Sequence, residues 1–194
     1  GTICAIADGI SSSEQAREAS HAAITGFIAD YFSTPDTWSV KQSGGKVLTA
    51  INVWLCGQSN QFREMSRGFA TTFSAVIIKS VTAHLFHVGD ARIYHYRNNS
   101  LEQLTQDHRI KLDQGKEYLG RALGVDYALD IDYKNLAVER GDVFILMTDG
   151  VYEFVADNVI KQQLSDNDDP EQCAKDLCEL ALQNGSGDNV SCQV

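Results

Sequence analysis

The chain has 194 residues, a hydrophobic fraction of 43% and a formal net charge of −10. This length fits one domain, since domains usually contain roughly 100–200 residues, and the hydrophobic fraction excludes a disordered chain. The acidic balance argues against a nucleic-acid-binding surface, because such a surface needs clustered lysine and arginine to neutralise phosphates. We therefore expect a single folded domain over residues 1–194 that binds no nucleic acid.

The cysteines and the apolar runs indicate the expected cellular location of the protein. Five cysteines form no C-x-x-C pair, which disfavours a zinc ribbon and a disulfide framework and favours a reducing, cytoplasmic location. No apolar run reaches the ~20 residues that span a bilayer, so no membrane segment is predicted. The first residues already have the pattern of a strand, and we expect the natural protein to begin upstream, with further N-terminal strands.

The first half of the chain contains two helical patterns and several strand patterns. A buried strand over residues 2–7 precedes a helix that starts at the hydroxyl groups of residues 11–13 and runs to about residue 32. An amphipathic pattern predicts a second helix over residues 46–62. β-Branched and aromatic residues then predict consecutive antiparallel strands over residues 69–79, 82–88 and 92–97.

The second half begins with a segment that lacks periodicity. Residues 106–128 mix charges with glycine, which predicts a surface excursion of the flap-like kind. After it the patterns predict strands over residues 129–138 and 142–147, helices over 157–164 and 170–184, and a last strand from residue 190. Helices and strands occur in runs with hairpin-length connections, so we expect an α+β protein with antiparallel sheets.

Acidic residues stand at the ends of several predicted strands. The runs TICAIADG and FILMTDG end on Asp8 and Asp149, Asp90 follows the strand ending FHVG, and Asp188 directly precedes the last strand. Asp-Gly is a common hairpin signal, but no second strand follows Asp8-Gly9 or Asp149-Gly150 immediately, so a hairpin turn does not explain them. Carboxylate oxygens are the ligands that Mg²⁺ and Mn²⁺ prefer, so the pattern indicates a divalent metal site.

Five motifs occur in an order that resembles a known family. They are ADG at 7–9, HVGDARIY at 87–94, LTQDH at 104–108, LMTDGVYE at 146–153 and GSGDNVS at 185–191. Together they resemble the metal-dependent serine/threonine phosphatases of the PP2C (PPM) type over nearly the whole chain. The resemblance extends in particular to the phosphatase domain of bacterial fusion proteins that carry a protein kinase domain behind it.

The resemblance assigns roles to five residues. It implies that Asp8 bridges two metal ions, with the Gly9 carbonyl bound directly or indirectly to one of them. Asp149 and Asp188 would hold the other ion, and Asp90 together with Asp149 would contribute to a third, weaker ion. The catalytic residues would then be Asp8, Asp149 and Asp188, and the ions Mn²⁺ or Mg²⁺. The implied fold is a PP2C-like αββα sandwich of two antiparallel sheets flanked by helices.

The implied activity is hydrolysis of phosphoserine and phosphothreonine in proteins. Two metal ions about 3.5–4 Å apart lower the pKa of a bridging water toward 7, which makes a hydroxide available at neutral pH. This hydroxide would attack phosphorus in line, so no protein nucleophile is required. The expected partner is a phosphoprotein in bacterial signalling, and the expected parent chain carries a protein kinase domain as well.

The sequence departs from the family pattern in three places. Many members have glycines and a histidine where this chain has Ile10 and residues 11–13, so the general acid is unassigned. The family's upstream acidic ligand and phosphate-binding arginine would precede the first strand, outside this chain. Residues 70–72 read Ala-Thr-Thr where Gly-Thr-Thr is frequent, which we interpret as a mild change in packing. These departures leave a non-catalytic regulatory or binding module as the alternative, although retention of all four aspartates favours the enzyme.

The histidines are interpreted as structural or solvated. His84 and His87 are three residues apart on a predicted strand, which favours packing or exposure over shared ligation of a metal ion. His108 lies in the predicted excursion and is interpreted as a solvated loop residue.

Overall fold

The structure, a computed structural model, describes residues 1–10, 14–59, 68–111 and 117–194. The predicted helix cap at residues 11–13 lies outside these residues. The chain divides into a first unit, Gly1–Gly89 with His108–Ala137, and a second unit, Asp90–Asp107 with Val138–Val194. The expectation of a single domain over 1–194 stays a prediction.

The helices and strands alternate in runs, as the sequence predicts. In chain order they are β1 (Thr2–Ile6), α1 (Glu14–Phe32), α2 (Val40–Ser59), β2 (Phe73–Lys79), β3 (Thr82–Val88), β4 (Arg92–Arg97), β5 (Ser100–Gln103), β6 (Arg109–Lys111), β7 (Glu117–Leu119), β8 (Asp132–Ala137), β9 (Val143–Met147), α3 (Asp149–Tyr152), α4 (Asp157–Asp166), α5 (Pro170–Gln183) and β10 (Cys192–Gln193). All strand pairs are antiparallel, and the predicted α+β class is confirmed.

The first unit contains a sheet in the order β1-β2-β3-β8, the helices α1 and α2, and the two-stranded β6-β7 hairpin. Its core is aromatic, because the Phe27 ring of α1 lies 4.8 Å from that of Phe73 and 6.2 Å from that of Phe86, measured between centroids. Small residues let the helices approach this core. Ala19 and Ala23 are fully buried on α1, and a Cβ added at Gly44 of α2 would lie 2.4 Å from the Phe86 ring.

The glycine at position 44 also explains an error in the predicted start of α2. The helix was expected from residue 46, but it begins at Val40 and includes Gly44 and Gly45. Glycine weakens a helix, so Gly44 and Gly45 disfavour a helix when the sequence is considered alone. At Gly44 the lack of a side chain instead allows the helix to lie against the sheet, and this tertiary packing outweighs the low helix propensity.

The second unit contains a sheet in the order β10-β9-β4-β5 together with α3, α4 and α5. Its core forms where β9 and the helices bury apolar side chains, among them Ile145, Met147, Val151, Ile160 and Leu177. A Pro residue at the start of α5 and the side chain of Asp169, which accepts from the backbone N–H of Glu171, account for the N-terminus of that helix.

The prediction that β3 and β4 are neighbouring antiparallel strands is wrong. β3 pairs with β2 and β8, whereas β4 pairs with β5 and β9. Between them Gly89 adopts a φ of +116°, and a Cβ at this position would lie 2.6 Å from the Thr72 side chain. This backbone conformation, accessible mainly to glycine, ends β3 and directs the chain into the second unit.

Four short elements, β5, β6, β7 and α3, were not predicted from the sequence. β5 forms a hairpin with β4 around Asn98 and Asn99, both with positive φ, and such a pair of turn residues is a recognisable signal. The β6-β7 hairpin lies within the predicted excursion over residues 106–128. α3 is a single turn that follows β9 directly, too short for a periodicity to reveal it. None of the helices described is long and apolar enough to cross a membrane.

A buried carboxylate stabilises the second unit. Asp142, whose side chain is 4% exposed, accepts hydrogen bonds from Arg97 Nε at 2.6 Å and from the Glu139 backbone N–H at 2.9 Å. His95 Nε2 lies 3.3 Å from the same carboxylate. The hydrogen bond from Arg97 holds the pKa of Asp142 well below its usual range and outweighs the opposing effect of burial. The carboxylate therefore stays ionised and ties β4 to the turn that precedes β9.

We expect Asp142→Asn to lower the free energy of unfolding at pH 7 by about 1–3 kcal/mol, because the hydrogen-bond donors around this buried side chain lose a charged acceptor. Since folding depresses the pKa of Asp142, its contribution is present above the unfolded-state pKa of about 3.9 and is lost as the pH falls below it. Urea unfolding at pH 7 and pH 3 should show the difference between variant and parent shrinking at the lower pH. The exposed Asp168→Asn is the control, and a difference independent of pH would contradict this account.

Candidate metal centre

The first predicted ligand, Asp8, is held by its backbone in the first unit. Its N–H donates to Thr72 Oγ1 at 2.9 Å, and its carbonyl accepts from the Thr72 N–H at 2.8 Å and from Thr71 Oγ1 at 2.9 Å. Both threonines are buried. Sequence reasoning did not single out these hydroxyl groups, which fix the direction of the chain at the end of β1.

The glycine after Asp8 is required by a close approach of two backbone segments. A Cβ added at Gly9 would lie 2.2 Å from the carbonyl oxygen of Ala16, in the first turns of α1. Gly9 also forms a β-bridge with Thr71, and the next residue, Ile10, donates its N–H to the Ala70 carbonyl at 2.9 Å. The Asp-Gly pair is therefore a strand-to-helix connection, as the sequence predicts.

His108 fixes the residue that precedes Asp90. The Gly89 N–H donates to His108 Nδ1 at 3.0 Å, and the His108 N–H donates to the Gly89 carbonyl at 2.8 Å. The His108 side chain is 7% exposed, and its Nε2 lies 3.1 Å from Asp132 Oδ2. The interpretation of His108 as a solvated loop residue is therefore wrong, because these polar partners hold it against the end of β3.

The second unit brings the segments of Asp149 and Asp188 together. Thr148 Oγ1 donates to the Asn189 carbonyl at 3.1 Å and accepts from the Ser191 N–H at 3.1 Å. Ser186 Oγ donates to the Gly150 carbonyl at 2.8 Å. These bonds tie residues 186–191 to residues 148–150 on both sides of the two aspartates.

Gly150 permits this contact between segments. A Cβ added at Gly150 would lie 2.4 Å from the Asn189 carbonyl oxygen and 3.4 Å from the Cβ of Asp188. A side chain at position 150 would therefore contact Asp188 as well as Asn189. Glycine here allows the loop of Asp188 to lie directly against the start of α3.

The carboxylate of Asp149 has acidic neighbours. Burial raises the pKa of Asp149, and the charges of Asp90, Asp188 and Glu153 raise it further. Like charges disfavour ionisation of a carboxyl group, whereas a bound cation would favour it. The structure thus brings three of the four predicted aspartates, Asp90, Asp149 and Asp188, within electrostatic reach of one another.

The donor chemistry of these residues fits Mn²⁺ or Mg²⁺, since both ions prefer carboxylate oxygens. Among the described residues, no three Asp, Glu, His or Cys side chains are already gathered as a complete ligand set. Asp149 and Asp188 each accept a hydrogen bond from the next backbone N–H, at 2.9 and 2.8 Å. Asp8 and Gly9 belong to the first unit, so their part in the same site stays a prediction.

Comparison with known proteins identifies the family. A family model for protein phosphatase 2C matches residues 1–192. The chain belongs to the protein phosphatase 2C family. The match covers the first motif, with Asp8, and the last, with Asp188, so the family relationship extends over both units.

Curated relatives include bacterial serine/threonine phosphatases. The serine/threonine phosphatase stp of Listeria welshimeri is 28% identical over 139 residues, which cover 64% of this chain and 55% of the relative. PstP, a serine/threonine protein phosphatase of Mycobacterium tuberculosis, is 29% identical over 139 residues, which cover 64% of this chain and 27% of PstP. The chain thus matches about half of the Listeria protein and about a quarter of PstP.

Solved structures confirm the PP2C fold. PppA, described as a regulatory component of T6SS in Pseudomonas aeruginosa, has a TM-score of 0.85 and 22% identity, covering 98% of this chain and 84% of that one. The catalytic domain of PstP in complex with two manganese ions has a TM-score of 0.84 and 24% identity, covering 98% of this chain and 85% of that one. At these identities the likeness establishes the fold alone.

The contact at Gly150 predicts that Gly150→Ala changes stability in the opposite direction to a typical Gly→Ala substitution in a helix. In an unconstrained helix, Gly→Ala stabilises by up to about 1 kcal/mol. We expect Gly150→Ala to destabilise by about 1–3 kcal/mol instead, because the new methyl group overlaps the Asn189 carbonyl. Thermal unfolding measures this change, and faster amide exchange at Ser191 would locate it. Gly187→Ala, in the same loop but with nothing within 4 Å of the added Cβ, is the matched control. Equal effects of the two substitutions would contradict the contact.

Proposed function

We propose that this protein is a metal-dependent phosphatase that hydrolyses phosphoserine and phosphothreonine in proteins. The single observation that carries the proposal is the match of the protein phosphatase 2C family model to residues 1–192, with aspartates in all the motif positions discussed above. The names of the Listeria and mycobacterial relatives support the same activity. The acidic cluster of the second unit adds support, because its chemistry suits a divalent cation.

The proposed cofactor is a pair of Mn²⁺ or Mg²⁺ ions. Asp8 and the Gly9 carbonyl would hold the ions from the first unit, and Asp149 and Asp188 from the second, with Asp90 contributing to a third, weaker ion. The two manganese ions in the structure of the PstP catalytic domain support this choice of metal. When bound, the ions would supply a hydroxide at neutral pH and positive charge that stabilises the phosphoryl group during transfer.

The protein's own residues would hold these ligands in place. Thr71 and Thr72 would keep the Asp8 backbone fixed, so that its carboxylate keeps one orientation as substrate binds. Thr148 and Ser186 would do the same for the segments of Asp149 and Asp188. Preorganised groups of this kind lower the reaction barrier because they need no rearrangement when charge develops. Ile10 offers no proton to the leaving oxygen, so the general acid stays unassigned.

The proposed substrate is a phosphoprotein, and the proposed setting is bacterial signalling in the cytoplasm. A protein kinase domain in the same parent chain would place the opposing activity beside the phosphatase. Because linked domains meet at a high effective concentration, a phosphorylated site within the kinase domain would be a natural substrate.

Activity and metal dependence test the proposal in one assay. The full chain should hydrolyse a phosphothreonine peptide and p-nitrophenyl phosphate with Mn²⁺ or Mg²⁺ and lose this activity with a chelator. Asp149→Asn should lower kcat/KM at least about 100-fold, because the substitution removes a charged metal ligand. Asp168 is an exposed aspartate of the same unit between α4 and α5, and Asp168→Asn should retain full activity.

Two outcomes would contradict the proposal in different ways. Hydrolysis that persists without metal would exclude the proposed mechanism. Binding of Mn²⁺ without hydrolysis of any phosphorylated substrate would instead favour the non-catalytic module.

A further inference from the structure

The arginine of the GDAR motif, Arg92, is held in a single orientation within the second unit. Its Nε donates to Asp107 Oδ1 at 3.0 Å and its Nη2 donates to Asp107 Oδ2 at 2.8 Å, while Nη1 donates to the Tyr94 hydroxyl at 3.1 Å. Two parallel bonds between a guanidinium and a carboxylate fix geometry as well as charge. Arg92 is therefore part of the scaffold and is already engaged by its protein partners.

The fixed guanidinium in turn holds a tyrosine. The Arg92 Cζ atom lies 3.7 Å from the centroid of the Tyr152 ring, so the guanidinium covers the aromatic face. Tyr152 is 7% exposed, and its hydroxyl donates to the backbone carbonyl of Asp90 at 2.9 Å. The cation–π contact with the partly buried arginine and the hydrogen bond of the hydroxyl group both restrict movement of the ring.

Tyr152 connects two of the proposed metal ligands. It is the last residue of α3, the single helical turn that begins at Asp149. Its hydroxyl reaches back to Asp90, 62 positions earlier in the chain. Tyr152 therefore links the backbone of Asp90 to the helical turn that begins at Asp149.

We propose that Arg92 and Tyr152 form a brace that fixes the spacing of Asp90 and Asp149 and thereby sets the affinity for a divalent ion held by these two carboxylates. The inference rests on the proposed function, since it concerns the same metal centre. Arg92 and Tyr152 are positioning residues, because the contacts that carry this proposal are with each other and with the Asp90 backbone.

The brace predicts a selective effect of removing one hydroxyl group. Tyr152→Phe keeps the ring under Arg92 but deletes the hydrogen bond to the Asp90 carbonyl. Losing an outer partner of a metal ligand typically weakens metal binding 10–100-fold, and we expect about a 10-fold weaker affinity for Mn²⁺ at the site of Asp90. The loss should be larger for Mg²⁺, because Mg²⁺ demands near-ideal octahedral geometry.

Calorimetric titration of the full chain with MnCl₂ measures the affinity without relying on turnover. Tyr96→Phe is the matched control, since Tyr96 lies on β4 in the same unit and its hydroxyl contacts Ser165 Oγ at 2.7 Å. Tyr96→Phe should leave the Mn²⁺ affinity unchanged.

In the phosphatase assay, Tyr152→Phe should raise the Mn²⁺ concentration needed for half-maximal activity, while kcat recovers at saturating Mn²⁺. A variant that is only less stable would not combine a higher Mn²⁺ requirement with an unchanged kcat at saturating Mn²⁺.

Two further variants keep the inference testable. Arg92→Lys retains the charge but loses the planar bidentate bond and the stacking, so it should weaken Mn²⁺ binding as Tyr152→Phe does. Arg92→Lys tests the inference if Tyr152→Phe does not fold. In an Asp90→Asn background, Tyr152→Phe should cause no additional loss of Mn²⁺ affinity, because the brace acts through Asp90.

The outcomes separate this inference from the proposed function. If the parent chain binds Mn²⁺ and the affinities of Tyr152→Phe and Arg92→Lys equal that of the parent, the brace is refuted and the proposed function stands. If Tyr152→Phe weakens binding equally with and without Asp90, the effect does not pass through Asp90 and the brace is refuted as well. A parent chain that binds no Mn²⁺ would overturn the proposed function and the brace together.

Discussion

The candidate centre depends on hydrogen bonds to the backbone around its aspartates. Thr71 and Thr72 fix the peptide groups of Asp8, and Thr148 and Ser186 tie the loop of Asp188 to the turn that follows Asp149. In the second unit, the bonds of Thr148 and Ser186 oppose repulsion between Asp149 and Asp188, because carboxylates brought close together favour moving apart or taking up protons. A neutral hydroxyl group can supply such a bond without neutralising the carboxylate that a cation needs.

Two carboxylates of the second unit show how neighbours decide the role of an acidic residue. At Asp142 the guanidinium of Arg97 lowers the pKa, so the ionised carboxylate is compensated within the protein and contributes to stability. At Asp149 burial and acidic neighbours raise the pKa, so the protein itself disfavours the charged form. Carboxyl groups whose pKa is perturbed by burial together with like charges are candidates for functional sites. The same unit therefore contains a carboxylate suited to stability and one suited to a cation.

The sequence was sufficient to predict the fold class, most helices and strands, and the aspartates that the motifs carry. Asp8 and Asp149 could be found because a buried strand that ends on Asp-Gly without a second strand is unusual. The supporting residues could not be found in this way. Thr72 and Tyr152 contact residues 64 and 62 positions away, and no local pattern encodes such contacts. For the same reason the sequence did not reveal that β3 and β4 have different neighbours, although the Asn98-Asn99 turn after β4 was a readable signal.

Anomalous diffraction from crystals soaked in Mn²⁺ tests the central claim most directly, because manganese can be located without assuming its ligands. The account predicts two strong anomalous peaks, one within coordination distance of the Asp149 and Asp188 carboxylates and one beside Asp8, with Asp8 shared between them. Peaks that lie away from these residues, or no bound manganese in crystals of the full chain, would contradict it.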